Sequence, residues 1–258
     1  MPTRITSRDN PLLVRLRKLV RQPGEYRRSG QVLLEGEHLC EAWARRAEAR
    51  PLQALVSETA WQAGRFANLA DTAMATVVVA DAVLAEVGML ETPAPISFVV
   101  ALPTPQPIDA IAPTVVLERV QDAGNVGSIL RSAAAFGFVQ VVAIRGTASL
   151  WSPKVLRAGM GAHLALSLHD GVDAAALDDL RSPLLGSSSH AEAGIDGADL
   201  PWPCAWVFGN EGEGVSAAVE RRCAARYRIP QPGGEESLNV AVAAGICLYE
   251  SARRITRP

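Results

Sequence analysis

Residues 115–131 read Val-Val-Leu-Glu-Arg-Val-Gln-Asp-Ala-Gly-Asn-Val-Gly-Ser-Ile-Leu-Arg, and this stretch decides the fold. A short apolar run, Thr114–Glu118, gives way to a polar, glycine-containing turn and then to apolar residues at helical spacing. That is a strand, a loop and a helix in immediate succession. The turn Gly124-Asn125-Val126-Gly127 opens the helix, where backbone N–H groups lack intrahelical partners and face any anionic ligand. Arg131 follows Asn125 by fewer than two helical turns, so the two residues can line one cavity; a simple helix cap and a surface cation would also account for them.

The rhythm continues outward from this unit. Val126–Phe136 reads as a helix, Val139–Ile144 as a strand and Ser152–Met160 as a helix, with strands again near Leu184–Ser187, Ala205–Phe208 and Tyr227–Ile229. A last helix runs from about Ser237 to Arg254. Strands alternating with helices imply a mainly parallel sheet flanked by helices, an α/β fold whose ligands sit at the carboxyl ends of the strands. Two more segments put glycine and polar residues at such ends. Ala205–Phe208 is followed by Gly209-Asn210-Glu211-Gly212-Glu213-Gly214-Val215-Ser216, where three glycines let backbone approach a ligand closely. This is neither a Walker A loop nor a GxGxxG fingerprint, which excludes a hydrolysed triphosphate. Arg228-Ile229-Pro230-Gln231-Pro232-Gly233-Gly234 then leads to Ser237-Leu238-Asn239 at the entrance of a helix rich in small residues. Ser237 and Asn239 have side chains that can cap the helix and contact a ligand.

Upstream, prolines 93, 95, 103, 105, 107 and 113 punctuate the chain, and the boundary between two regions is expected near residue 95. On that reading Ile96–Ala101 is the first strand of the second region. Residues 1–95 give a small α/β sandwich: a helix started by Asn10-Pro11 with Leu12, Leu13, Leu16, Leu19 and Val20 on its apolar face, then strand Val32–Glu35, helix Glu37–Ala49, and strands Leu52–Val56 and Thr76–Val79. The net charge of the 258 residues is -2, yet residues 1–28 carry eight basic side chains against Asp9 and Glu25. Arg4, Arg8, Arg15, Arg17 and Lys18 are candidate phosphate contacts, although a solvated helix face would look the same. The four cysteines form no CxxC pair and the histidines no ligand pattern, so no metal site is expected, and reduced thiols in the cytoplasm are the default. No apolar run of about 18 residues suggests a membrane span.

The strings DAGNVGSILRSAAAFGF, FGNEGEGVS and IPQPGGEESLNVAVA resemble, in order and spacing, the three signature motifs of the SpoU (TrmH-type) RNA ribose methyltransferases of the SPOUT superfamily. NPLLVRLRKL and LLEGEHLCEAW are similar, more weakly, to the substrate-binding, ribosomal-protein-like N-terminal domain of the family's ribosomal-RNA members. Ala123 departs from the pattern, which has proline there. The resemblance implies a SPOUT fold with a C-terminal trefoil knot over residues 96–258, a homodimer, S-adenosylmethionine as cofactor, and methylation of a ribose 2′-hydroxyl in a structured RNA, ribosomal RNA favoured. It implies catalytic roles for Asn125, Arg131, Glu211, Ser237 and Asn239. Gly209, Asn210, Gly214, Ile229, Pro230, Ser237 and Leu238 would hold the cofactor. Transfer-RNA ribose or RNA base methylation within the superfamily, and a non-catalytic RNA-binding assembly factor, are the alternatives; cofactor affinity separates the last from the rest.

Overall fold

The computed structural model describes residues 2–22, 24–46, 49–88, 93–233 and 237–253. They divide into two compact units, Met1–Thr104 with Trp151–Leu164, and Pro105–Leu150 with Ala165–Pro258.

The first unit runs β1 (Thr3–Ile5), α1 (Pro11–Arg21), α2 (Glu25–Ser29), β2 (Gln31–Glu35), α3 (Glu37–Arg46), β3 (Gln53–Ser57), α4 (Glu58–Gln62), α5 (Ala67–Ala70), β4 (Thr76–Val79), α6 (Asp81–Leu84) and β5 (Ile96–Ala101). Asn10 caps α1 as its sequence implies, its Oδ1 accepting the Leu12 N–H at 2.9 Å, and Leu13, Leu16, Leu19 and Val20 are the buried face. The sheet order is β1-β4-β3-β5-β2, with β5 antiparallel to both of its neighbours. This corrects the expected boundary. Ile96–Ala101 pairs with Gln53–Val56 and with Gln31–Glu35, so it completes the first sheet, and the chain passes to the second unit at Thr104, not near 95. The prolines that suggested an earlier break flank this strand and interrupt none of its hydrogen bonds. Strand β1 was not anticipated, being three residues long with two of them exposed.

The second unit contains β6 (Thr114–Glu118), α7 (Ala123–Ala135), β7 (Gln140–Ile144), β8 (Ser167–Val172), β9 (Leu184–Ser187), β10 (Ala205–Phe208), a short helix Ala217–Glu220, β11 (Ala225–Tyr227) and a final helix Val240–Ala252. Between β7 and β8 the chain supplies a helix, Pro153–Gly159, that packs against β2 of the first unit's sheet. All six strands are parallel, in the order β11-β9-β10-β6-β7-β8. Every residue of β6, β7 and β10 is buried, as expected for strands covered on both faces. From β6 the chain first builds outward through β7 and β8, then crosses to build β9, β10 and β11 on the other side. The direction of growth therefore reverses between β6 and β10, the position where such sheets open a ligand crevice.

Strand β8 was also missed, because Ser167, His169 and Asp170 interrupt its apolar pattern. The last strand lies at Ala225–Tyr227, two residues before its expected place, since Arg228 and Ile229 already belong to the loop. The expected ends of two helices, at Ala47–Ala49 and Arg254, fall partly or wholly outside the described residues.

Candidate active site

Four loops leave the carboxyl ends of β6, β9, β10 and β11. The last three, with the start of the final helix, enclose a cleft of about 880 Å³. Gly209, Asn210, Glu211, Gly214, Ile229, Ser237 and Leu238, all expected from the sequence, lie on its wall.

The loop after β10 is a tight turn held by its own backbone. Asn210 and Gly214 exchange N–H···O bonds of 3.0 and 2.9 Å, and the Asn210 side-chain oxygen accepts the N–H groups of Gly212 and Glu213. Asn210 thus shapes the loop with the polar groups that were expected to bind a cofactor. Gly209 is obligatory for the turn, because a Cβ there would overlap the backbone of Gly214 and Val215. Gly214 takes φ +69°, a conformation that suits glycine.

Asn125 does not cap α7. Asp122 does, its Oδ1 accepting the Asn125 N–H at 2.7 Å, which frees the Asn125 amide for longer-range contacts. Its Nδ2 donates to Glu211 Oε1 at 3.1 Å, and its Oδ1 accepts from Asn239 Nδ2 at 3.0 Å. Asn239 is fixed in turn, its own oxygen capping the final helix through the N–H groups of Ala241 and Val242. One residue from each of the three glycine-rich segments therefore joins a single hydrogen-bonded chain, Asn239 to Asn125 to Glu211. The chain holds one carboxylate oxygen of Glu211 at the cleft wall.

Two expected residues stand apart. Arg131 lies on the exposed stripe of α7 with Ser128 and Ala135, about a third of a turn away from Asn125, and forms no hydrogen bond or ion pair among the described residues. The spacing of six residues places it on a different face, so the two do not line one cavity in this chain. Pro230 is absent from the cleft wall and faces the side of Gly194. Of the basic residues of the first unit, Arg4 pairs with Glu58, while Arg17 pairs with Glu86 and donates to the Arg8 carbonyl. Arg8, Arg15 and Lys18 keep their charged groups exposed.

Sequence reasoning missed the end of β9, Gly186 and Ser187, and the loop Ser188-Ser189-His190, which form one side of the cleft. That loop directly follows β9, so the rule that found the other three loops applied to it as well. Cys223 also lines the cleft; burial, aided by Glu220, raises its thiol pKa to about 11, so it stays a neutral thiol. Trp206 is a core residue, fully buried, with Nε1 donating to Ser251 Oγ at 2.9 Å.

The comparison with known proteins agrees with this arrangement. The sequence profile of the SpoU rRNA Methylase family matches residues 112–249. The chain belongs to that family. A tRNA/rRNA methyltransferase of Synechocystis, itself uncharacterised, is 36% identical over 97% of this chain and 93% of its own length. The 23S rRNA (guanosine(2553)-2′-O)-methyltransferase RlmP of Bacillus subtilis is 30% identical over 87% of this chain and 90% of its own. Among solved structures, the SpoU methyltransferase AviRb of Streptomyces viridochromogenes with AdoMet superposes with a TM-score of 0.83. That alignment covers 96% of this chain and 100% of that one at 25% identity. The three motif strings of this chain lie at the loops after β6, β10 and β11.

Proposed function

We propose that this SpoU-family chain transfers a methyl group from S-adenosylmethionine to a ribose 2′-hydroxyl of ribosomal RNA. The hydrogen-bonded chain Asn239–Asn125–Glu211 at the mouth of the cleft carries the proposal, because it spends three separate motifs on fixing one carboxylate. The cleft suits the cofactor: the open backbone at Gly214 permits close approach, Ile229 and Leu238 offer apolar contact, and Glu211, which has no ion pair among the described residues while Glu213 and Glu220 pair with Arg119 and Arg226, favours a cationic ligand. When bound, the cofactor supplies an already electrophilic methyl group on its sulfonium.

The residues of this chain then have to orient a hydroxyl and take its proton. Glu211 is the group placed to accept that proton, its orientation set by Asn125. Ser237 lines the same wall and is suited to hydrogen-bond the ribose. Arg131 stands off the cleft wall, so the part assigned to it is electrostatic contact with a phosphate of the bound RNA. Alignment of hydroxyl and methyl group is the main source of acceleration.

Arg8, Arg15 and Lys18 grip RNA phosphates from the first unit, whereas Arg4 and Arg17 chiefly brace that unit through Glu58 and Glu86. The chain works as a homodimer in the cytoplasm. Its final helix is apolar from Val240 to Leu248, and Val242 and Tyr249 are 52% and 51% exposed, a face that a second copy would cover. A trefoil knot in the region of β9 to the final helix is part of the same proposal and rests on membership of the family.

The test is transfer of labelled methyl from S-adenosylmethionine to unmodified total RNA, followed by nucleoside mass spectrometry. A 2′-O-methylated nucleoside from the large-RNA fraction is expected. A methylated base would overturn the ribose assignment, and absence of cofactor binding would favour a pure RNA-binding role.

A further inference from the structure

The carboxylate of Glu118 ends β6 and is buried, with 5% of the residue exposed. Both of its oxygens go to one residue: Oε2 accepts the Ser216 N–H at 2.7 Å and Oε1 accepts the Ser216 hydroxyl at 2.6 Å. No cation pairs with it among the described residues, so these two bonds carry the compensation a buried carboxylate requires. Ser216 closes the glycine-rich loop and caps the helix Ala217–Glu220.

The next residue grips the other limb of the same loop. The Arg119 carbonyl accepts from Asn210 Nδ2 at 3.1 Å, and its guanidinium pairs with Glu213 at 2.6 Å. Arg119 does this at φ +57°, a left-handed conformation that a non-glycine residue adopts only when its surroundings enforce it. Its N–H is tied to Thr147 Oγ1 at 3.0 Å, and Thr147 Oγ1 donates to the Leu117 carbonyl at 3.0 Å. Residues 118 and 119 thus bracket the loop from 210 to 216, and Glu211 lies within the bracket. A loop with three glycines has wide conformational freedom, and the hydrogen bond from Asn125 fixes only the carboxylate end of Glu211.

Building on the methyltransferase reading, we propose that Glu118 and Arg119 are positioning residues that set Glu211 through Ser216, Asn210 and Glu213.

The full-length protein tests this with Ser216→Ala, Ser216→Thr, Glu118→Gln and the Glu118→Gln/Ser216→Ala pair. Four quantities are read: the single-turnover rate at saturating S-adenosylmethionine, cofactor Kd, RNA affinity and Tm. Ser216→Ala is expected to slow the single-turnover step by about tenfold or more, the scale of a lost hydrogen bond to a charged group. RNA affinity should stay at the wild-type value, and Ser216→Thr, which keeps the hydroxyl, should recover the rate. The double variant should be no slower than the slower single one, since both break the same contact. A Ser216→Ala rate within twofold of wild type overturns the proposal, as do independent, additive losses or a rate that follows only the fraction unfolded. A wild-type protein that transfers no methyl group would instead remove the methyltransferase reading, and the positioning role with it.

Discussion

Replacing Gly209 by alanine adds a single methyl group at the point where the loop after β10 turns back on itself. The new Cβ would meet the carbonyl carbon and oxygen of Gly214 and the nitrogen of Val215, each well inside the 3.0 Å that side chains essentially never breach. All three are backbone atoms, so no side-chain rotation relieves the overlap. To reach ordinary van der Waals contact the two limbs must part by about 1 Å. That opening pulls against the paired Asn210–Gly214 bonds and shifts Glu211, which lies between them. A displacement of this size at a reacting group lowers the rate by about a hundredfold. The stability loss should stay near 1–3 kcal/mol, as for other overpacked sites. Single-turnover methylation and cofactor calorimetry check the first figure, and thermal melts check the second. Gly197→Ala is the control, because a Cβ there meets nothing within 4 Å and its φ is not positive. Gly209→Ala protein with wild-type rate and cofactor affinity would refute the claim that this turn sets the geometry of the site.

Three further outcomes are expected. Arg131→Ala should abolish transfer while leaving cofactor Kd unchanged, since its guanidinium lies off the cleft wall; near-normal turnover would remove it from the reaction. Reversing charge at Arg8, Arg15 and Lys18 together should weaken RNA binding and lower the slope of log affinity against log salt by about 2–3, if each holds one phosphate; an unchanged slope would show that these cations are only a solvated face. His169 is buried, and that burial lowers its pKa below the ordinary value. The unfolded chain therefore binds more protons, and the stability held by the neutral imidazole is present above about pH 6.5 and lost as pH falls toward the folded-state pKa. Melting between about pH 7 and 5 should show wild type losing more stability than His169→Leu, and parallel curves would contradict it.

The elements that could be read in the sequence are those whose signal is local. Thr114–Glu118, Leu184–Ser187 and Ala205–Phe208 are apolar runs bounded by polar turns, and each appears at the expected residues. Three glycine-rich segments could be placed at strand ends by the same logic, and most of their singled-out residues line the cleft. Partnership was not legible. The pattern of Ile96–Ala101 says that it is a strand but not which sheet receives it, because pairing with Gln31–Glu35 is a matter of tertiary register. Nor does spacing tell which polar group of a motif faces the ligand: Asn210 spends its amide oxygen on its own loop and its Nδ2 on the Arg119 carbonyl, and Asp122 takes the capping role that frees Asn125. The Glu118–Ser216 contact joins residues 98 positions apart, and neither residue carries a local sign of the other.

The same long-range pairing decides how RNA binding can be assigned. Removing residues 1–95 would be the natural way to ask whether the N-terminal region holds RNA. It would cut the chain just before β5, leaving that strand without the two neighbours that satisfy its backbone. The helix Pro153–Gly159 would also lose its packing against β2, uncovering Val155 and Leu156, which are buried in the intact chain. Exposed strand edges and apolar helix faces promote aggregation, so a loss of RNA affinity in that truncation would say nothing about phosphate contacts. Surface charge reversals at Arg8, Arg15 and Lys18 avoid this, because none of the three contributes to the buried face of α1. The electrostatic question is therefore answered by point variants with unchanged Tm, and the domain boundary by where β5 pairs.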